Sequence, residues 1–219
     1  MAAKIKNIIF DLGGVILDID ERLTLNELDR LGINGAQLRN SPEFVALDDR
    51  FERGIITAKT FRKRAKQLIG ITMSDEDFDF IWNAMLFDNP RERIHAIEKI
   101  KEHYTIFLMS NTNEIHYDLY VRDLQLRFGY KEFDDLFDKA YLSFDTHLLK
   151  PDPLFFEYIL DQQELKPQET LFIDDSKTNI ESAMKLGLHV YHIHRDELVR
   201  NLFADGILRK DVELDQLRD

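Results

Sequence analysis

Asp11 ends the apolar run Ile8-Ile9-Phe10 and stands just before the pair Gly13-Gly14. A run rich in β-branched and aromatic residues reads as a buried strand, and the glycine pair breaks it. This pattern delivers a carboxylate to the C-terminal end of a strand, beside a loop whose backbone can come close to a ligand. A carboxylate so placed can attack phosphorus or carbon, or hold a cation. Gly13 has no side chain, so its carbonyl could face the same cation. Asp174-Asp175 repeats the arrangement after Leu171-Phe172-Ile173. Adjacent acids repel each other unless a cation or hydrogen bonds intervene, and hard ions such as Mg²⁺ take oxygen ligands of this kind. Ser110-Asn111-Thr112 follows the apolar run Ile106-Phe107-Leu108-Met109, and hydroxyls with backbone amides at a helix start form an anion site. Lys150 precedes Pro151, which fixes the backbone directly after it and points to a defined loop. Each feature also has a plainer reading as a turn, a solvated lysine or a helix cap, with Ser176 and Asn179 as candidate caps.

The surrounding elements suggest how these groups meet. Strand-like runs ending at Asp11, Ser110 and Asp174 alternate with helical stretches, as do weaker runs at 140–143 and 189–193. That order predicts an α/β fold, a doubly wound parallel sheet with helices on both faces. The C-terminal strand ends of such a sheet share one edge, where distant residues converge. Residues 19–88 break the alternation. Leu23, Leu25, Leu28 and Leu31 mark one amphipathic segment, further segments end near Gly54 and at Gly70, and a fourth starts after Ser74 as N-cap. The expected division is an α/β core of residues 1–18 and 89–219 with a helical cap of residues 19–88 over the ligand edge. Phe44, Arg50, Phe51, Arg53 and Trp82 are candidates to face inward from the cap. The charged tail 208–219 is expected to fray or to form a short surface segment.

Composition narrows the function. In 219 residues, 41 acids against 29 bases give a net charge of −12, which argues against nucleic acid as a partner. A small phosphorylated substrate remains compatible, because a local metal reverses the field. The absence of cysteine excludes disulfides and thiolate catalysis and fits the cytoplasm. No stretch reaches the roughly 20 apolar residues that span a bilayer, so a membrane partner is not expected. The N-terminus runs into the first strand without the pattern of a signal peptide. The oligomeric state is not legible.

Taken in order, strand-Asp, strand-Ser, loop-Lys-Pro and strand-Asp-Asp resemble the haloacid dehalogenase (HAD) superfamily of hydrolases. Phe10-Asp11-Leu12-Gly13-Gly14-Val15-Ile16-Leu17, Leu108-Met109-Ser110-Asn111-Thr112, Lys150-Pro151-Asp152-Pro153 and Phe172-Ile173-Asp174-Asp175-Ser176 with Asn179 match its four motifs. The resemblance covers the whole chain, helical cap included. It implies a Mg²⁺-dependent phosphatase in which Asp11 attacks phosphorus and forms an aspartyl-phosphate. Asp11, the Gly13 carbonyl and Asp175 would hold Mg²⁺, with Asp174 or Asn179 helping directly or through water. Ser110, Asn111 and Lys150 would bind the phosphoryl oxygens. Within the superfamily the first motif looks most like a subgroup that includes bacterial α-D-glucose-1-phosphate phosphatases.

The chain departs from the pattern twice. Gly13 stands where most phosphatases of the superfamily carry a second Asp as general acid and base, and Asp18, Asp20 or a water is a candidate substitute. His147 stands where the Lys-Pro loop usually has Gly. Two other readings remain: hydrolysis at a carbon–halogen bond without metal, and a non-catalytic protein that binds a phosphorylated ligand.

Overall fold

The computed structural model describes residues 4–194 and 197–217. Five parallel strands, β1 (Asn7–Phe10), β2 (Thr105–Ser110), β3 (Lys139–Leu142), β4 (Thr170–Asp174) and β5 (His189–His192), form one sheet in the order β3-β2-β1-β4-β5. β1 lies at the centre, with Phe10 level with Leu108 on one side and Ile173 on the other. The motif residues just beyond these positions therefore emerge at one edge. The apolar runs are continuous because both faces are covered. Ile8, Phe10, Leu108 and Ile173 point into a core shared with α6 (Arg91–Lys101) and α7 (Glu114–Phe128). Ile9, Phe107, Met109 and Phe172 point into a second core shared with α10 (Pro153–Gln162) and α11 (Lys177–Lys185).

Between β1 and α6 the chain forms α1 (Glu21–Arg30), α2 (Gly35–Arg39), α3 (Pro42–Glu52), α4 (Ala58–Ile69), α5 (Asp75–Trp82) and a 3₁₀ turn at Asn83–Met85. Ser74 caps α5 by accepting from Asp77 N, as the sequence predicts. The short α2 was not expected, because five residues hold too little periodicity to read; Asn34 starts it by accepting from Gln37 N. These helices have their own core, in which Phe51 stacks on Phe61 at 4.1 Å between ring centroids and Trp82 meets Phe61 edge-on at 4.9 Å. The chain's two crossings into this unit run side by side. Asp20 N donates to Met85 O at 2.8 Å and Phe87 N donates to Asp18 O at 3.3 Å. The buried Arg93 braces the first crossing through Ile16 O and the Asp18 carboxylate.

The remaining elements are the short helices α8 (Phe133–Leu136) and α9 (Ser143–Thr146), 3₁₀ turns at Pro167–Glu169 and Val199–Leu202, and an antiparallel pair, β6 (Phe203–Ala204) and β7 (Ile207–Leu208). The tail is docked rather than frayed through Leu214. Leu208, Val212 and Leu214 pack against the first core, and Asp215 exchanges backbone and side-chain hydrogen bonds with Val190. Charged residues set among these apolar anchors disguised them in the sequence. Residues 218 and 219 lie outside the described residues. No helix among the described residues is long and apolar enough to cross a membrane.

Candidate active site

Asp11 follows β1 directly, and its N–H donates to Ile173 O at 2.9 Å, which prolongs the strand pairing by one residue. Gly14 then turns the chain at φ +75°, a region that disfavours L side chains. A Cβ at Gly14 would lie 2.2 Å from Asp175 Oδ2, so glycine is what lets the two loops meet. One carboxylate oxygen from each of Asp11, Asp174 and Asp175 fits within a 4.8 Å span. Lys150 donates through Nζ to Asp11 Oδ1 at 2.6 Å and Asp174 Oδ2 at 2.8 Å. All three of these side chains are buried.

Burial pushes the Asp11 carboxyl up to about 7 against the pull of Lys150, and the charges of Asp174 and Asp175 add to the rise. Burial opposes the Lys150 charge, but Asp11 and Asp174 outweigh it and hold the ammonium above the usual lysine range. The centre therefore carries more negative than positive charge in a dry setting. Its all-oxygen donor set suits a hard divalent cation, which relieves the repulsion among the carboxylates. Asp174 is fully buried and accepts from Ser176 N, from Asn179 Nδ2 and from Lys150. Those contacts fix it as the inner brace and leave Asp11 and the half-buried Asp175 nearer the open side.

The other predicted residues occupy less uniform positions. Ser110 ends β2 and is buried on the same edge. Asn111 does not turn its side chain to a ligand. Its carboxamide accepts from Lys150 N and donates to Lys150 O, both at 2.9 Å, and so holds the lysine loop to β2. Any contact of Asn111 with an anion is left to its backbone. Ser176 precedes α11 without a side-chain capping bond, and Asn179 is drawn to Asp174; a carboxylate thus does the capping that the sequence assigned to these two. Asp18 is paired with Arg93, and Asp20 caps α1 and pairs with Arg22, so both candidate proton donors have other work. A Cβ on Gly13 would lie 3.1 Å from Ile19 Cδ1, which fills the space beside it. Phe44 and Phe51 belong to the cap's own core, Trp82 packs on Phe61, Phe78 and His116, and Arg50 is exposed. Sequence reasoning passed over Ser143, whose hydroxyl accepts from Thr112 N and donates to Thr112 O and so locks the loop ends of β2 and β3. It also passed over Tyr120, a buried mid-helix tyrosine held above its usual range by burial and by the Asp11 charge. Neither carries a signal in a single sequence.

This geometry has a counterpart in known proteins. Residues 5–187 match the family model described as haloacid dehalogenase-like hydrolase. The chain belongs to the haloacid dehalogenase-like hydrolases. Among its HAD relatives, the D-ribitol-5-phosphate phosphatase of Bacteroides thetaiotaomicron is 30% identical over 188 residues, covering 85% of this chain and 91% of the relative. A HAD family enzyme of the same organism, solved in complex with magnesium and inorganic phosphate, superposes with a TM-score of 0.83 at 31% identity and covers 91% of this chain and 100% of that one. A HAD-like hydrolase from Porphyromonas gingivalis gives a TM-score of 0.79 at 29% identity, covering 89% and 94%. The HAD-like core with its helical cap is thus the architecture of this hydrolase, its enzyme class is that of the phosphatases, and its carboxylate centre is of the magnesium type.

Proposed function

We propose that this hydrolase is a Mg²⁺-dependent phosphatase that cleaves the phosphate monoester of a small polyhydroxylated metabolite through an aspartyl-phosphate on Asp11. The observation that carries the reading is the Lys150 ammonium between Asp11 and Asp174, with Asp175 completing a three-carboxylate cluster at the same edge. In this reading Asp11, the Gly13 carbonyl and Asp175 hold the metal, and Asp174 orients Lys150 and Asn179 around it. When bound, Mg²⁺ screens the phosphoryl oxygens from the carboxylates so that like charges can approach. Asp11 attacks phosphorus, the ester P–O bond breaks, and the departing alkoxide takes a proton from water. Water then attacks the same phosphorus, releases inorganic phosphate and restores the Asp11 carboxylate. Lys150 and Ser110, with the backbone of Asn111, hold the phosphoryl oxygens, whose charge spreads in a loose transition state.

The ribitol-phosphate relative supports a polyol or sugar phosphate as substrate. Glucose 1-phosphate is a narrower expectation that rests on the first motif alone. The division into a core of 1–18 and 89–219 and a cap of 19–88 follows the paired crossings at Asp18–Phe87 and Asp20–Met85. A cysteine-free enzyme for such metabolites fits the cytoplasm.

The test is turnover of an aryl phosphate, D-ribitol 5-phosphate and glucose 1-phosphate, with Mg²⁺ and with chelator, beside Asp11→Asn. Metal-dependent phosphate release that disappears in the variant is expected. Phosphate release that persists in chelator, or halide release from a haloacid without metal, would overturn the proposal.

A further inference from the structure

His147 takes the left-handed conformation (φ 63°, ψ 15°) that ends α9, three residues before Lys150. That geometry normally calls for glycine, and a bulky side chain there is strained unless something repays it. Across from it, Arg53 ends α3 and Gly54 turns at φ +62°. The two loops exchange contacts in both directions. His147 Nδ1 lies 2.6 Å from Arg53 O, which as a carbonyl can only accept, so the ring carries its proton on Nδ1. Arg53 Nη1 donates to His147 O at 3.4 Å. A Cβ on Gly54 would stand 2.0 Å from Phe144 O, so cap and core backbones touch directly here. The loop beyond His147 is tied to the reacting edge, since Lys150 N donates to Asn111 Oδ1 and Lys150 Nζ reaches Asp11.

We propose that Arg53, Gly54 and His147 form a clasp through which the seated cap sets the lysine loop, making His147 a positioning residue for Lys150. The role deepens the phosphatase reading and rests on it. A cap that swings about its paired crossings must break this clasp to open. Reclosing it restores the ring-to-carbonyl bond and, with it, the loop that presents the ammonium to Asp11. Substrate entry and the placing of Lys150 are thereby coupled, as expected for capped enzymes that assemble their catalytic groups on closure. The ring contact also accounts for a histidine at a glycine-type position: the backbone strain is exchanged for a bond to the cap.

Two variants keep the backbone conformation and differ in the donor. Asparagine tolerates the left-handed region and carries an amide N–H close to where Nδ1 sits, whereas glycine tolerates it and carries none. His147→Gly should lower kcat for an aryl phosphate about fivefold, the equivalent of one hydrogen bond of ~1 kcal/mol, with Tm unchanged. His147→Asn should retain near wild-type kcat. Gly54→Ala, which forces the backbones apart, should lose more than His147→Gly. Amide hydrogen exchange over residues 148–152 in the metal-free, substrate-free protein should quicken in His147→Gly and not in His147→Asn. Equal losses in the Asn and Gly variants, unchanged exchange in His147→Gly, or quickened exchange with unchanged kcat would each overturn the clasp. Should the wild-type protein turn over no phosphate ester, the function fails on its own, and the exchange measurement still decides whether His147 holds the loop.

Discussion

Lys150→Met tests the electrostatics of the site most directly, because it keeps the unbranched side chain out to Cε and removes the charged nitrogen. In the wild-type protein the ammonium sits 2.6 Å from Asp11 and 2.8 Å from Asp174, and its side chain is 2% exposed. Without it, the buried carboxylates of Asp11 and Asp174 lose the ammonium that stands between them. Removing one partner of a buried ion pair costs about 3–5 kcal/mol. For a chain of this size each kcal/mol is worth roughly 2–4 °C, so Tm in chelator should fall by roughly 6–20 °C near pH 8. The pH dependence follows from Asp11, whose carboxyl already stands at about 7 with the lysine present. Loss of Lys150 raises it further. The folded variant then holds a proton that the unfolded chain releases above about pH 4, so its stability falls as pH rises through the folded value. The wild type shares that fall up to about 7, so the deficit from Asp11 should be small near pH 5 and should open as pH rises above about 7. In the proposed reading Mg²⁺ is held by the same carboxylates and repelled by the ammonium, so saturating Mg²⁺ should raise Tm more in the variant than in the wild type. Turnover should still fall by about 10²–10³, as when a preorganised donor to the transition state is lost. Thermal melts at both pH values, with chelator and with Mg²⁺, read the outcome. A variant as stable as the wild type in chelator near pH 8, or one that gains no more from Mg²⁺, refutes the reasoning.

Three further outcomes are expected. Gly14→Ala would place a Cβ 2.2 Å from Asp175 Oδ2 and should weaken Mg²⁺ binding about 10–100-fold by calorimetry, the usual cost of disturbing a ligand's support. Glu52 is pushed up to about 8 by burial and by Asp48, Asp49 and Glu21, against Arg39. It is neutral when folded and ionised when unfolded between its ordinary value and 8, so it lowers stability progressively over that window; Glu52→Gln should raise Tm near pH 8 and leave it unchanged near pH 4. Finally, kcat/KM should drop steeply from aryl to alkyl phosphates of similar size, measured as a slope against leaving-group pKa; a flat slope means that a proton donor does reach the leaving group.

What the sequence revealed and what it hid divide along physical lines. The sheet was legible because each central strand is a short apolar run stopped by a polar residue, as at Phe10-Asp11 and Ile173-Asp174. The cap helices were legible where caps or glycines punctuate them, as at Ser74 and Gly70. The convergence of Asp11, Lys150 and Asp174 could be expected because parallel strands send their C-terminal ends to one edge. What escaped depends on contacts distant in sequence. Asn111 resembled a ligand-facing turn residue, and nothing nearby indicates that its amide would be spent on the backbone of Lys150. Phe51 resembled a pocket residue because an apolar face has the same pattern whether it meets a substrate or its own neighbours, whereas Phe44 and Trp82 do line a cavity between the cap helices and the start of α7. The tail's anchors were hidden by the charges around them.

The glycine at position 13 is more than a missing acid. Ile19 stands against it, and Ile19 belongs to the crossing that pairs with Leu86 where the chain returns from the cap. A Cβ at Gly13 would lie 3.1 Å from the Cδ1 end of the Ile19 side chain, so an aspartate there would need that methyl to give by a few tenths of an ångström while the Ile19 backbone keeps its pairing with Leu86. General acid help is worth about 10²–10⁴ in rate, and a site without it favours esters whose oxygen leaves as a stable anion. An anomeric phosphate meets that condition better than a phosphate on a primary alcohol. A primary polyol phosphate, as in the ribitol-phosphate relative, would need its proton from water or from the substrate's own hydroxyls, held in place by the closed cap. The physiological substrate thus turns on whether cap closure brings a proton source to the leaving oxygen, because Asp18 and Asp20, the acids that next follow Gly13 in sequence, are already paired with Arg93 and Arg22.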